Sequence, residues 1–120
     1  MKTILIVDDD PLIRESTQTY LEMQGFGTVC AENGKDAMIK SQEETIHLAL
    51  VDIFMPNQGG FEFIMSLSQK FPIIAMSGVS SHRFEPLAFA ESLGADASLT
   101  KPFHPNEMMK TIHRLLQITD

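Results

Sequence analysis

Five short apolar runs, each followed by a stretch with helical spacing, set the rhythm of this chain. Ile4-Leu5-Ile6-Val7 is apolar without alternation, the pattern of a strand buried on both faces. Ile13, Thr17, Tyr20 and Leu21 then recur at the intervals of one helix face, and Gly25 offers a stop. Residues 28–31 predict a second strand, and Asn33 a cap for a helix bearing Ala37, Met38 and Ser41. Residues 46–51 predict the third strand, with His47 inside it. Met55-Pro56-Asn57 and Gly59-Gly60 mark residues 52–60 as a loop, and Phe61, Ile64, Leu67 and Phe71 follow at helical spacing. Residues 73–76 predict a fourth strand ending at Ser77-Gly78. After the polar stretch 79–85, Pro86 opens a short fourth helix carrying Leu87, Ala90 and Leu93 and closed by Gly94. Residues 97–100 predict the fifth strand. A fifth helix from about Asn106 has Met108, Met109, Ile112, Leu115 and Leu116 on one stripe.

Five strand–helix repeats with no interrupting linker predict a single domain over residues 1–120, doubly wound α/β with a parallel sheet. A composition 43% hydrophobic and 21% charged excludes a disordered chain, and 120 residues suffice for one core. The net charge of −7 counts against a nucleic-acid backbone as partner, which demands clustered Lys and Arg. It suits a cation or a basic protein surface. Cys30 is the sole cysteine, so no intrachain disulfide forms and a reducing compartment is expected. The apolar part of MKTILIVDDD is too short for a signal peptide, and no run approaches the ~20 residues that span a bilayer. The expected location is cytoplasmic, with no membrane partner.

Ligands of such sheets bind at the carboxyl ends of the strands. Strand one delivers Asp8 and Asp9 there, strand three Asp52, strand four Ser77, and strand five is followed by Lys101-Pro102. Glu32, after strand two, is a lone acid before a cap and reads as solvated. Two carboxylates ~4 Å apart repel by about 4 kcal/mol at an effective dielectric of ~20, so this rim calls for a cation. Oxygen donors without basic ligands suit a hard divalent ion, Mg²⁺ first and Mn²⁺ second. A carboxylate beside such an ion can attack phosphorus to give an acyl phosphate, while a lysine and a hydroxyl hold the phosphoryl oxygens.

Four segments carry a resemblance: ILIVDDDPLIR from Ile4, LVDIFMPNQGGFE around Asp52, MSG around Ser77 and GADASLTKPF around Lys101. In this order, each at a strand end, they make the whole chain resemble the receiver domains of two-component response regulators. The resemblance implies a flavodoxin-like fold, a five-stranded parallel sheet in the order 2-1-3-4-5 with five helices. It implies a phosphorylation-dependent signalling switch, not a turnover enzyme, with Asp52 as phosphoacceptor. Asp9 and Asp52 would ligate Mg²⁺ directly with the backbone carbonyl of Phe54, and Asp8 through a water. Ser77 would bond a phosphoryl oxygen, and Lys101 would pair with phosphate or, before reaction, with an acid. The implied partners are a histidine kinase or phosphotransfer protein, and a downstream protein met by the fourth helix, fifth strand and fifth helix, residues 83–116. Asp10 falls outside the pocket and is expected to cap the first helix.

Two positions depart from the family pattern. Ser98 stands where the family has Tyr or Phe, and Gly59 replaces an acid. The first keeps open an alternative, a constitutive docking module of the same fold without a phosphorylation-driven switch. Phe54 and Val79, each two residues past a site residue, are expected to flank the path of an attacking water and to tune dephosphorylation. A phosphohydrolase of the haloacid dehalogenase type is disfavoured because Phe54 stands where its second aspartate belongs. A flavodoxin is disfavoured because three aspartates follow strand one.

Taken singly, Asp8-Asp9 would be a solvated turn, Lys101 a surface lysine and Ser77 a turn residue. Their shared placement at strand ends gives them a chemical sense. His47, His82, His104 and His113 share no ligand spacing; the first is expected in a strand and the others at the surface. The methionines fall mainly on helical stripes and are expected in the core.

Overall fold

A computed structural model describes residues 1–53, 60–78, 88, 90–91, 93–101 and 103–117. Five parallel strands form one sheet: β1 (Thr3–Val7), β2 (Gly27–Ala31), β3 (Leu48–Asp52), β4 (Ile73–Ser77) and β5 (Ala97–Thr100). Their order is β2-β1-β3-β4-β5, as the sequence resemblance implied. Four helices are delimited among the described residues: α1 (Pro11–Met23), α2 (Gly34–Glu43), α3 (Gly60–Leu67) and α4 (Pro105–Leu116). The helix expected to open at Pro86 lies mostly outside the described residues, although Ala88, Ala90 and Glu91 are helical.

The continuous apolar runs are buried because both faces of the sheet are covered. Leu5 and Val7 point into one cluster with Ala37 of α2 and Phe63, Ile64 and Leu67 of α3. Ile4 and Ile6, one residue out of phase, point into the other with Leu21 of α1 and Met108 and Ile112 of α4. Burying each such side chain stabilises the fold by about 1.5–3 kcal/mol, and the two-residue period of a strand divides them between the faces. Met76 and Met108 join the core as expected, but Met1, Met23 and Met65 are exposed.

Asp10 caps α1 as predicted, its carboxylate accepting from the N–H groups of Leu12 and Ile13. Such a cap is worth about 1 kcal/mol, and Pro11 opens the first turn with a residue that has no N–H of its own to satisfy. Asn33 caps α2 by accepting from Asp36 N–H at 2.8 Å. The third strand corrects the sequence expectation: it begins at Leu48, so His47 precedes it. His47 is engaged instead with β1, its N–H donating to the Thr3 carbonyl and its Nδ1 accepting from the Thr3 N–H, both at 2.9 Å.

Candidate functional site

Strand register brings the acids together. Val7 pairs with Val51, so the next residues, Asp8 and Asp52, leave the sheet side by side. On the other side of β3, Asp52 pairs with Met76 and places Ser77 one step further out. Ser77 in turn pairs with Thr100, and the Lys101 N–H donates to the Ser77 carbonyl at 2.9 Å. Four strands thereby deliver Asp8, Asp9, Asp52, Ser77 and Lys101 to one rim.

The Lys101 ammonium bridges two of the acids, donating to Asp8 Oδ2 at 3.2 Å and to Asp52 Oδ2 at 3.1 Å. Asp8 is wholly buried, Asp52 is 8% exposed and Ser77 1% exposed, whereas Asp9 stands open to solvent. One carboxylate oxygen from each of Asp8, Asp9 and Asp52 falls within 4.8 Å of the others. Three oxygen donors so close, with no nitrogen or sulfur among them, fit a hard divalent cation such as Mg²⁺.

Burial dominates the ionisation of Asp8 and pushes its pKa above the usual carboxylate value. The Asp10 N–H and the Lys101 ammonium pull the other way, and the Asp52 charge adds to the rise. Burial also works against charge on Lys101, but the Asp52 carboxylate, followed by Asp8, outweighs it and holds the lysine above its ordinary value. The same ion pair therefore favours the charged lysine but only partly offsets the cost of a charged Asp8. The difference follows from exposure, because the Asp8 side chain lies deeper than that of Lys101.

The turn that presents these acids is tied down by four bonds to Asp8. Its N–H donates to the Ala31 carbonyl at 3.1 Å, and its Oδ1 accepts from the Asp10 N–H at 2.9 Å. Its Oδ2 takes the Lys101 bond, and its carbonyl oxygen accepts from Arg14 Nη1 at 2.7 Å. Arg14 was missed from sequence. A signal existed, since a cation near a helix amino end opposes the macrodipole and so calls for a specific partner.

Phe54, Gly59, Val79 and Pro102 lie outside the described residues, as does His82. Ser98 is half-buried on β5 and its hydroxyl donates to Glu91 Oε2 at 2.9 Å. His104, expected as a plain surface residue, is exposed and also caps α4, its Nδ1 accepting from Asn106 N–H. His113 lies against Phe26, ring centroids 6.4 Å apart. No helix among the described residues is long and apolar enough to cross a membrane.

The family model described as "Response regulator receiver domain" matches residues 4–113. Response regulator RR06 of Streptococcus pneumoniae is 33% identical over 116 residues, which cover 95% of this chain and 52% of that protein. The chain spans about half the length of the curated relatives it matches. A CheY-like response regulator receiver domain protein from Methanospirillum hungatei superposes with a TM-score of 0.87 at 32% identity, covering 98% of this chain and 94% of that one. The response regulator TrrA from Thermotoga maritima, solved in complex with Mg²⁺–BeF, superposes with a TM-score of 0.80 at 32% identity, covering 96% and 99%.

Proposed function

Because the chain belongs to the response regulator receiver domain family, we propose that it is a phosphorylation-dependent switch of a two-component system. Residues 1–120 act as one receiver domain. The observation that carries this is the near-buried Asp52 carboxylate, held at 3.1 Å by Lys101 at the end of β3 beside two further acids. A histidine kinase or phosphotransfer protein supplies the phosphoryl group. An Asp52 carboxylate oxygen attacks the phosphorus, and the bond to the donor's imidazole nitrogen breaks with its electron pair staying on that nitrogen, so an imidazole already protonated on its other nitrogen leaves neutral.

Asp9 and Asp52 would hold Mg²⁺ directly, with the Phe54 carbonyl as a further ligand and Asp8 reaching it through a water; Mn²⁺ suits the same oxygens. Such an ion, when bound, neutralises charge on the phosphoryl oxygens during transfer. After transfer, the Lys101 ammonium exchanges Asp52 Oδ2 for a phosphoryl oxygen, and the Ser77 hydroxyl donates to another. The chain works by changing state once per phosphoryl group, not as a turnover enzyme. Output passes by protein contact through residues 83–116, the stretch that includes β5 and α4. A cytoplasmic setting follows from a kinase donor of this kind.

The lifetime of the phosphorylated state depends on access of an in-line water. Phe54 and Val79 can neither bond nor orient one, so proximity and orientation are both lost. Asp52→Ala should abolish labelling by acetyl phosphate with Mg²⁺, measured as hydroxylamine-sensitive phosphate; label retained at another aspartate would overturn the assignment. The Phe54→Asn, Val79→Glu double variant should release phosphate about tenfold faster, roughly 1.4 kcal/mol in barrier, once excess donor is removed. A wild-type half-life equal to or shorter than the variant's would end that part of the reading.

A further inference from the structure

Arg14 grips the acidic turn at both ends of its own residue. Its guanidinium donates to the Asp8 carbonyl at 2.7 Å, and its backbone N–H donates to the Asp10 carbonyl at 2.9 Å. The peptide between Asp8 and Asp9 is therefore pinned on its oxygen side by a charge-assisted bond from six residues further along. Asp8 has three other bonds to fix its place. The exposed Asp9 carboxylate has none among the described residues, so its direction depends on how that peptide is held.

We propose that Arg14 is a positioning residue for the metal site, holding the Asp8–Asp9 peptide so that the Asp9 carboxylate converges with Asp52. This rests on the Mg²⁺ reading of the site. The sign of the effect separates positioning from simple charge. A cation beside an acidic site repels a metal ion, so removing one through charge alone tightens binding. Removing a group that orients a ligand weakens binding, characteristically by about tenfold or more. Arg14 also packs at the start of α1, where a purely structural role would lower stability and leave affinity unchanged.

The test is titration of Mg²⁺ against wild type, Arg14→Ala and Arg14→Lys, followed by calorimetry and by the backbone amide shifts of Asp9 and Asp52. Urea midpoints are measured on the same samples. We expect Arg14→Ala to bind about tenfold more weakly. Arg14→Lys should fall between it and wild type, because an ammonium reaches one lone pair without the planar fork. Should Arg14→Ala not fold, weaker binding by Arg14→Lys carries the same support. Equal or tighter binding by the folded variants overturns the inference, whatever their urea midpoints. A wild type that takes up no Mg²⁺ overturns the site reading and this inference with it, whereas a binding wild type with unaffected variants overturns only the role of Arg14.

Discussion

At the amino edge of the sheet, the residue before one strand clasps the first residue of its neighbour at two points. His47 donates its N–H to the Thr3 carbonyl and accepts the Thr3 N–H on Nδ1, both at 2.9 Å. Asp96, just before β5, does the same to Ile73 of β4, with bonds of 2.8 Å and 2.9 Å. At the carboxyl edge, Lys101 instead spans Asp8 and Asp52 through side chains alone. At both edges the buried side-chain polar atoms of the described residues have partners. The amino edge uses them to close backbone valences that have no other strand to pair with. The carboxyl edge brings charged side chains together, and charge is concentrated there.

The contrast predicts that the two edges separate stability from chemistry. The largest effect belongs to Asp9→Ala, which should abolish Mg²⁺ binding and acetyl-phosphate labelling with little change in the urea midpoint. Labelling at the wild-type rate would erase the distinction between the edges. Lys101→Ala should tighten Mg²⁺ by about tenfold, roughly 1.4 kcal/mol, because a competing cation is removed, and it should block the phosphorylation response. Weaker binding in that variant would show that the ammonium supports the site instead of competing for it.

A smaller effect follows from the ionisation of Asp8. Its native pKa is raised above the unfolded value, so the native state holds the proton more tightly. The penalty is absent below the unfolded value of about 3.9 and grows as pH rises toward and through the native value. Metal-free protein should therefore be less stable at about pH 7 than below about pH 5, and Asp8→Asn should flatten that slope. Lys101 has a raised pKa as well, so its favourable charge is fully present below about 10.5 and is lost only above that. It leaves the neutral range unshaped. Mg²⁺ at ten times its Kd should restore about 1.4 kcal/mol at neutral pH by binding the native state alone. Equal urea midpoints with and without the ion would contradict this.

The smallest effect lies at the other edge. His47→Ala should lower stability by about 1 kcal/mol, since a part-buried N–H loses its acceptor, with Mg²⁺ affinity unchanged. A shift in that affinity, read by the same titration, would mean the edges communicate.

The sheet was legible because Ile4 to Val7 and the β3 and β4 runs are apolar without break, and both-sided burial leaves no other account of them. The site was legible because strand ends in a parallel sheet share one rim. What stayed hidden depends on contacts that one sequence position does not announce. The start of β3 was misjudged because His47 looks like a strand residue but turns its ring to β1. His104 caps α4 through Nδ1, a role commonly taken by Ser, Thr, Asp or Asn, so no cap was expected there. Arg14 bonds a carbonyl, and a carbonyl is present at every residue, so its partner cannot be read from composition.

The two bonds of Lys101 join residues 93 and 49 positions apart in the chain. Lys101 follows directly on β5, an edge strand paired with β4, so both bonds rely on that pairing in the folded protein. Closing such long loops comes late because their entropy is lost before any contact repays it. During synthesis, a nascent chain that has not yet delivered residue 101 would hold Asp8 and Asp52 without their shared ammonium. The rim thus draws on residues far apart in the sequence, and its shared ammonium comes from the segment after β5.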